Sequence, residues 1–182
     1  MRYSCSVRQA KARATTREKK MKIALRLSLI AAACAFAAPA SAQLATHKDL
    51  SYAMIKAIAE GAVEACQAKG YHVSVTVVGR DGGLLAQIRG DGAAPHTMEN
   101  SRRKAYTALT FASPSATFAQ QVAKDPGAQQ RSTLPGVIGI GGGLPIKVGE
   151  DVIGGVGISG SPGGNDEPWP KAGIDRVASQ LR

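Results

Sequence analysis

From Leu50 onward the apolar positions follow two periods. Leu50, Ala53, Met54, Ala57, Ile58, Gly61, Ala62, Ala65 and Cys66 recur at helical spacing and draw one apolar stripe. Thr46 is placed to cap that helix, with Asp49 in its first turn. Gly70 stops it, with Lys69 in the last turn. The period then shortens to two. Tyr71, Val73, Val75 and Val77 point one way and His72, Ser74 and Thr76 the other, which predicts a half-buried strand over 71–78. Gly79-Arg80-Asp81-Gly82-Gly83 reads as a turn and 84–89 as a second strand, so the two form a hairpin.

The helical period returns after Gly90-Asp91-Gly92. Met98, Arg102, Ala105, Ala108 and Leu109 predict a helix over 97–111, interrupted at Pro114. Ser115 is placed to cap a further short helix ending at Ala123, and 124–136 reads as a polar loop. Twelve of the chain's 21 glycines lie between Gly136 and Gly164. Within that stretch 137–140, 144–148 and 152–158 predict three strands, the last two joined through Gly149-Glu150-Asp151. An irregular loop over 161–170 and a terminal helix over 171–181 complete the order. Strands that follow one another through tight turns pair antiparallel. The expected fold is therefore α/β of the α+β kind, one antiparallel sheet of about five strands flanked by helices.

Residues 1–42 stand apart from this pattern. Met21-Lys22-Ile23 opens a short basic region that includes Arg26. An apolar run follows from Leu27 to Ala38, and Pro39-Ala40-Ser41-Ala42 supplies small residues at a cleavage point. Those are the three parts of a secretory signal peptide, with an apolar run too short for a permanent membrane span. Residues 1–20 are basic and show no apolar period, so Met21 reads as the start. The expectation is a periplasmic or secreted protein whose single domain spans 43–182, with no membrane span once the leader is removed.

Charge changes meaning under that division. The whole chain carries 23 basic and 13 acidic residues, net +10. Residues 1–42 hold nine of the basic residues and one of the acidic ones, leaving the rest at only +2. Nucleic-acid binding needs a basic patch on the folded domain, and the excess positive charge lies in the leader instead. Cys66 alone remains after Gln43, so an internal disulfide is excluded, and its place on the helix stripe makes it a buried small hydrophobe.

Several patterns carry candidate chemistry. Gly155-Val156-Gly157-Ile158-Ser159-Gly160 fits the dinucleotide pattern G-x-G-x-x-G, but Ser161-Pro162-Gly163-Gly164 opens no helix to hold a pyrophosphate. Close backbone packing, or a loop lining a pocket, is the better role. Ser159 misses the nucleophile-elbow pattern by one residue, and no triad base is indicated. His47, His72 and His96 are the only histidines, and no H-E-x-x-H occurs, so a catalytic zinc lacks ligands. One axial histidine suffices for haem. Arg102-Arg103-Lys104 is a basic cluster on a helix, a solvated face or a contact for a carboxylate.

Ordered stretches along the chain resemble a known family. These are Val77-Val78-Gly79-Arg80-Asp81-Gly82-Gly83-Leu84, Arg89-Gly90-Asp91-Gly92-Ala93 and Arg103-Lys104-Ala105-Tyr106-Thr107-Ala108. Gly141-Gly142-Gly143-Leu144-Pro145-Ile146, Gly154 to Gly160, Asp166-Glu167 and Ala172-Gly173-Ile174 follow. Together they cover nearly all of 47–177 and resemble the HbpS/GlcG family of haem-binding-like proteins, whose domain also ends some corrinoid adenosyltransferases. The resemblance implies a profilin-like α/β fold with one antiparallel sheet and homo-oligomers. It also implies haem binding in some members and corrinoid-related roles in others. Three departures are visible. The family turn reads Val-Val-Asp before the glycines, whereas here Gly79 and Arg80 precede Asp81. Trp169-Pro170 replaces a Cys-Ala pair. Glu60 and Glu64 are one residue too far apart for a Glu-x-x-Glu iron motif.

The expected function is extracytoplasmic binding of a small molecule, haem or a related tetrapyrrole. His96 or His47 is the candidate axial ligand, with His96 the candidate metal contact. Arg102, Arg103 or Lys104 is the candidate propionate contact, and Gly142, Gly143 and Ser159 are candidate pocket residues. One alternative is an enzyme or accessory factor for a small organic acid, using Asp91, Glu99 and Lys104. Another is an oligomeric module with no small ligand.

Overall fold

The computed structural model describes residues 43–162 and 166–182. The expected leader and cleavage point, and the middle of the 161–170 loop, lie outside the described residues. The elements run α1 (Tyr52–Gln67), β1 (Ser74–Gly79), β2 (Leu84–Arg89), α2 (His96–Thr110), α3 (Ser115–Lys124), α4 (Pro126–Arg131), β3 (Gly143–Val148), β4 (Asp151–Ser159) and α5 (Pro168–Asp175). A single 3-10 turn follows at Ala178–Gln180. The strands form one sheet in the order β2-β1-β4-β3, antiparallel throughout. Residues His47–Arg182 make one compact unit.

Each face of the sheet is covered, and the two covers differ. Val75 and Val77 of β1, with Val156 and Ile158 of β4, pack against Ile58, Ala62 and Cys66 of α1 in an apolar core. The alternate residues face α2. Ser74 Oγ and Thr97 Oγ1 are 2.7 Å apart, as are Thr76 Oγ1 and Ser101 Oγ. Every residue of β1 is buried. The two-residue period of 71–78 therefore separates an apolar interior from a hydrogen-bonded one, and the expected solvent-facing side of that strand does not exist. Paired hydroxyls make such burial tolerable, because an unpaired one would cost about 1–3 kcal/mol.

Glycine decides how near α2 can lie. A Cβ at Gly157 would fall 2.2 Å from Ser101 O and one at Gly155 2.4 Å from Ala105 O. Helix backbone thus rests on strand backbone over the middle of β4. The G-x-G-x-x-G pattern is this packing surface.

Five local expectations need correction. Ser51, not Thr46, caps α1, through its Oγ and the Met54 N–H. The expected strand over 137–140 is absent, so the sheet has four strands rather than about five. That segment bonds to helices instead. Ile138 N–H donates to Thr107 Oγ1, Arg103 Nη2 donates to Val137 O, and Ser115 Oγ donates to Ile140 O. Ser115 is consequently not a cap: its hydroxyl also accepts from Gly143 N–H. In the expected 124–136 loop, Asp125 caps α4 by accepting from Gly127 N–H, with Pro126 in the first turn. The terminal helix begins and ends earlier than expected, at Pro168 and Asp175.

Helix α2 ends in a left-handed residue that is not glycine. Ala112 has φ 52°, and the amides of Ala112 and Ser113 close back on Leu109 O and Ala108 O. Glycine is the usual residue there because a Cβ strains the left-handed region. Ala112→Gly is expected to stabilise the domain by about 0.5–1 kcal/mol, read as a higher thermal midpoint.

Candidate functional site

A cavity of about 510 Å³ opens where the end of β4, the start of β1 and the first turns of α2 meet. Tyr71 and His72 precede β1, His96, Thr97, Asn100 and Lys104 come from α2, and Ser159, Gly160 and Ser161 come from the end of β4. Ile140, Pro162 and Asp166 complete the wall. Gly160 has φ 127°, and a Cβ there would sit 2.5 Å from His72 O. Glycine lets the β4 exit pass directly against the β1 entrance, which brings His72 to the cavity.

Two imidazoles lie at the rim. His96 is the first residue of α2 and exposed. His72 is also exposed, and its Nδ1 lies 2.6 Å from Asp91 O. A carbonyl oxygen only accepts, so Nδ1 carries a proton, and Nε2 is the nitrogen left to ligate when the ring is neutral. That is the arrangement that orients a ligating histidine. In the sequence His72 is one polar position of the alternating strand pattern and carries no ligand signal. The missing partner is a main-chain oxygen nineteen residues away, for which residue type gives no signal.

The deepest charges in the cavity cancel. Lys104 Nζ lies 2.5 Å from Asp166 Oδ2, with side chains only 2 % and 3 % exposed. Asp166 Oδ1 accepts from Ser161 N–H at 3.0 Å and from Ser161 Oγ. Removing either ion would leave its partner charged and unpaired in the interior.

The other expected site residues are scattered. His47 lines a separate groove of about 560 Å³, with Leu50, Arg80, Leu85 and Ile153. Arg102 makes a two-pronged contact with Glu99, from Nε and Nη2. Those bonds hold the Glu99 carboxyl below its usual range. Arg103 is spent on Val137 O. Neither arginine lines the cavity with His96 and Lys104. Gly142 and Gly143 are packing residues: a Cβ at Gly143 would fall 2.1 Å from Lys104 O, and one at Gly142 2.4 Å from Asp166 Cβ. They seat the Lys104–Asp166 pair from beneath. Ser159 does line the cavity. Asp91 contributes its main-chain oxygen to His72, so Asp91, Glu99 and Lys104 do not converge. Cys66 is fully buried. Burial, and secondarily the charge of Asp166, pushes its thiol up to about 12, so it is no nucleophile at neutral pH.

Against known proteins, a family model described as haem-degrading protein HbpS-like matches residues 50–175. The chain belongs to the HbpS-like family. GlcG of Escherichia coli K12 is 33 % identical over 114 residues, covering 63 % of this chain and 84 % of that one. A double mutant of Streptomyces reticuli HbpS superposes with TM-score 0.69 at 35 % identity, covering 76 % of this chain and 96 % of that structure. A PduOC–haem complex superposes with TM-score 0.65 at 25 % identity, covering 71 % and 96 %. The HbpS-like fold accounts for the single four-stranded antiparallel sheet between helices. In this HbpS-like chain Trp169 meets Tyr71 edge to face, with ring centroids 5.7 Å apart. Trp169 thus backs one wall of the cavity from behind Tyr71.

Proposed function

We propose that this HbpS-like chain is an extracytoplasmic protein that binds haem or a related tetrapyrrole in the cavity between Tyr71, His96 and Lys104. The observation that carries the reading is the pair of rim imidazoles, His96 and His72, over a cavity whose deep charges are already neutralised. The cavity volume of about 510 Å³ falls in the range of small-molecule sites. Tyr71, Ile140 and Pro162 supply apolar surface, and the exposed imidazoles supply the donor type that iron takes axially. The residues present therefore fit the group. His96 or His72 would hold the iron, and Lys104 replaces Arg102 and Arg103 as the candidate partner for a propionate. Bound haem would supply the redox and oxygen chemistry; the chain's own residues bind, orient and partly shield it. The family's description and the haem in the PduOC complex point the same way.

Export is supported by the basic, apolar and small-residue succession of 21–42. Intact mass of the native protein should correspond to a chain beginning at Gln43, recovered outside the cytoplasm; a full-length mass in the cytosol rejects it. Self-association is supported by Leu84 and Leu85, 55 % and 43 % exposed on edge strand β2.

Titration with haem tests the central reading. The Soret band of haem should shift on binding. His96→Ala or His72→Ala should weaken binding by about tenfold or more, with a changed band position. An unshifted band, or identical spectra from the wild type and both variants, rejects the assignment.

A further inference from the structure

We propose that Asp166 is an internal stand-in for a ligand carboxylate, and that Lys104 with Ser161 forms a carboxylate subsite which a ligand acid enters by displacing it. Three donors converge on the Asp166 carboxylate: the Lys104 ammonium on Oδ2, and the N–H and hydroxyl of Ser161 on Oδ1. They come from separate parts of the chain, Lys104 from α2 and Ser161 from the exit of β4. Lys104, Ser161 and Asp166 all line the cavity, so an incoming acid meets the same donors.

Charge balance gives the selectivity. A buried ammonium has to keep a counter-anion. Exchanging one carboxylate for another preserves that balance, whereas seating an ester there strands the charge. Asp166 holds the subsite for most of the time, so a ligand's apparent affinity falls by the fraction of molecules in which the subsite is free. The inference rests on the cavity being the ligand site. A tetrapyrrole offers its propionates, and a free small acid offers the same group.

Fluorescence of Trp169, the only tryptophan and packed on cavity residue Tyr71, provides the readout. The probes are metal-free protoporphyrin IX, its dimethyl ester and propionate. Asp166→Asn should tighten the porphyrin diacid about tenfold and leave the diester within twofold. Asp166→Ser, with a shorter neutral side chain, also removes the competing carboxylate while keeping every donor of the subsite, and should likewise tighten the diacid and leave the diester within about twofold. This second variant keeps the test open should Asp166→Asn fold poorly. Lys104→Met should erase the difference between diacid and diester. Competition by millimolar propionate assigns the subsite to free small acids as well; its absence restricts the subsite to the tetrapyrrole rim. Diacid and diester moving together, or neither moving, in all folded variants overturns the proposal. Should both porphyrins fail to bind while Asp166→Asn gains propionate binding, the tetrapyrrole reading falls and the subsite stands. If no probe binds any variant, both fall.

Discussion

Lys104→Met is expected to destabilise the domain by about 3–5 kcal/mol, among the largest effects of any single substitution here. Lys104 and Asp166 are buried almost completely and meet at 2.5 Å. Removing the ammonium leaves a carboxylate held only by Ser161 and almost wholly screened from water. A pair replaced as a unit behaves differently: Lys104→Met with Asp166→Leu leaves no orphaned charge and should recover most of the loss. Urea unfolding of the two single variants and the double variant measures this as a coupling energy. Strict additivity of the two single losses would show that the groups do not depend on each other.

Gly157→Ala is expected to cost about 3 kcal/mol or more, although it adds one methyl group. The new carbon would lie 2.2 Å from Ser101 O and 2.5 Å from Ala105 N, both main-chain atoms that no rotamer change can move. Helix α2 would have to lift from β4, which opens the Thr76–Ser101 hydroxyl pair beside it. Circular dichroism melting gives the measurement, with Gly149→Ala for contrast, since nothing lies within 4 Å of a Cβ at that turn. Gly149 carries φ 60°, so its cost is backbone strain of about 1 kcal/mol and not collision. Equal losses at the two positions would remove close packing as the reason for glycine in β4.

The uneven legibility of the fold has a physical pattern. Helix stripes and the β3–β4 hairpin were readable because their apolar spacing is a local property. The 137–140 segment was not. Val137, Ile138 and Ile140 have strand composition, yet their backbone bonds are satisfied by Arg103, Thr107 and Ser115. Helix α4 starts at Asp125-Pro126 with a cap and a first-turn proline, but its polar residues draw no apolar stripe, so periodicity shows only a loop there.

The candidate site was legible in part. His96, Lys104 and Ser159 do line one cavity. Arg102 and Arg103 adjoin Lys104 in sequence, but on a helix neighbouring residues point about 100° apart, so one triplet serves three surroundings. His72 became a candidate only through the Asp91 carbonyl.

The sequence by itself determined the family, the order of most elements and the near-neutral charge of everything after residue 42, because each follows from residue types in linear order. Tertiary structure decided which side of β1 meets which interior, which histidines share a cavity, and that Lys104 faces Asp166 across 62 residues of chain. Those facts depend on how close two backbones can come. That distance is set by atoms the glycines lack, from segments that local periodicity cannot connect.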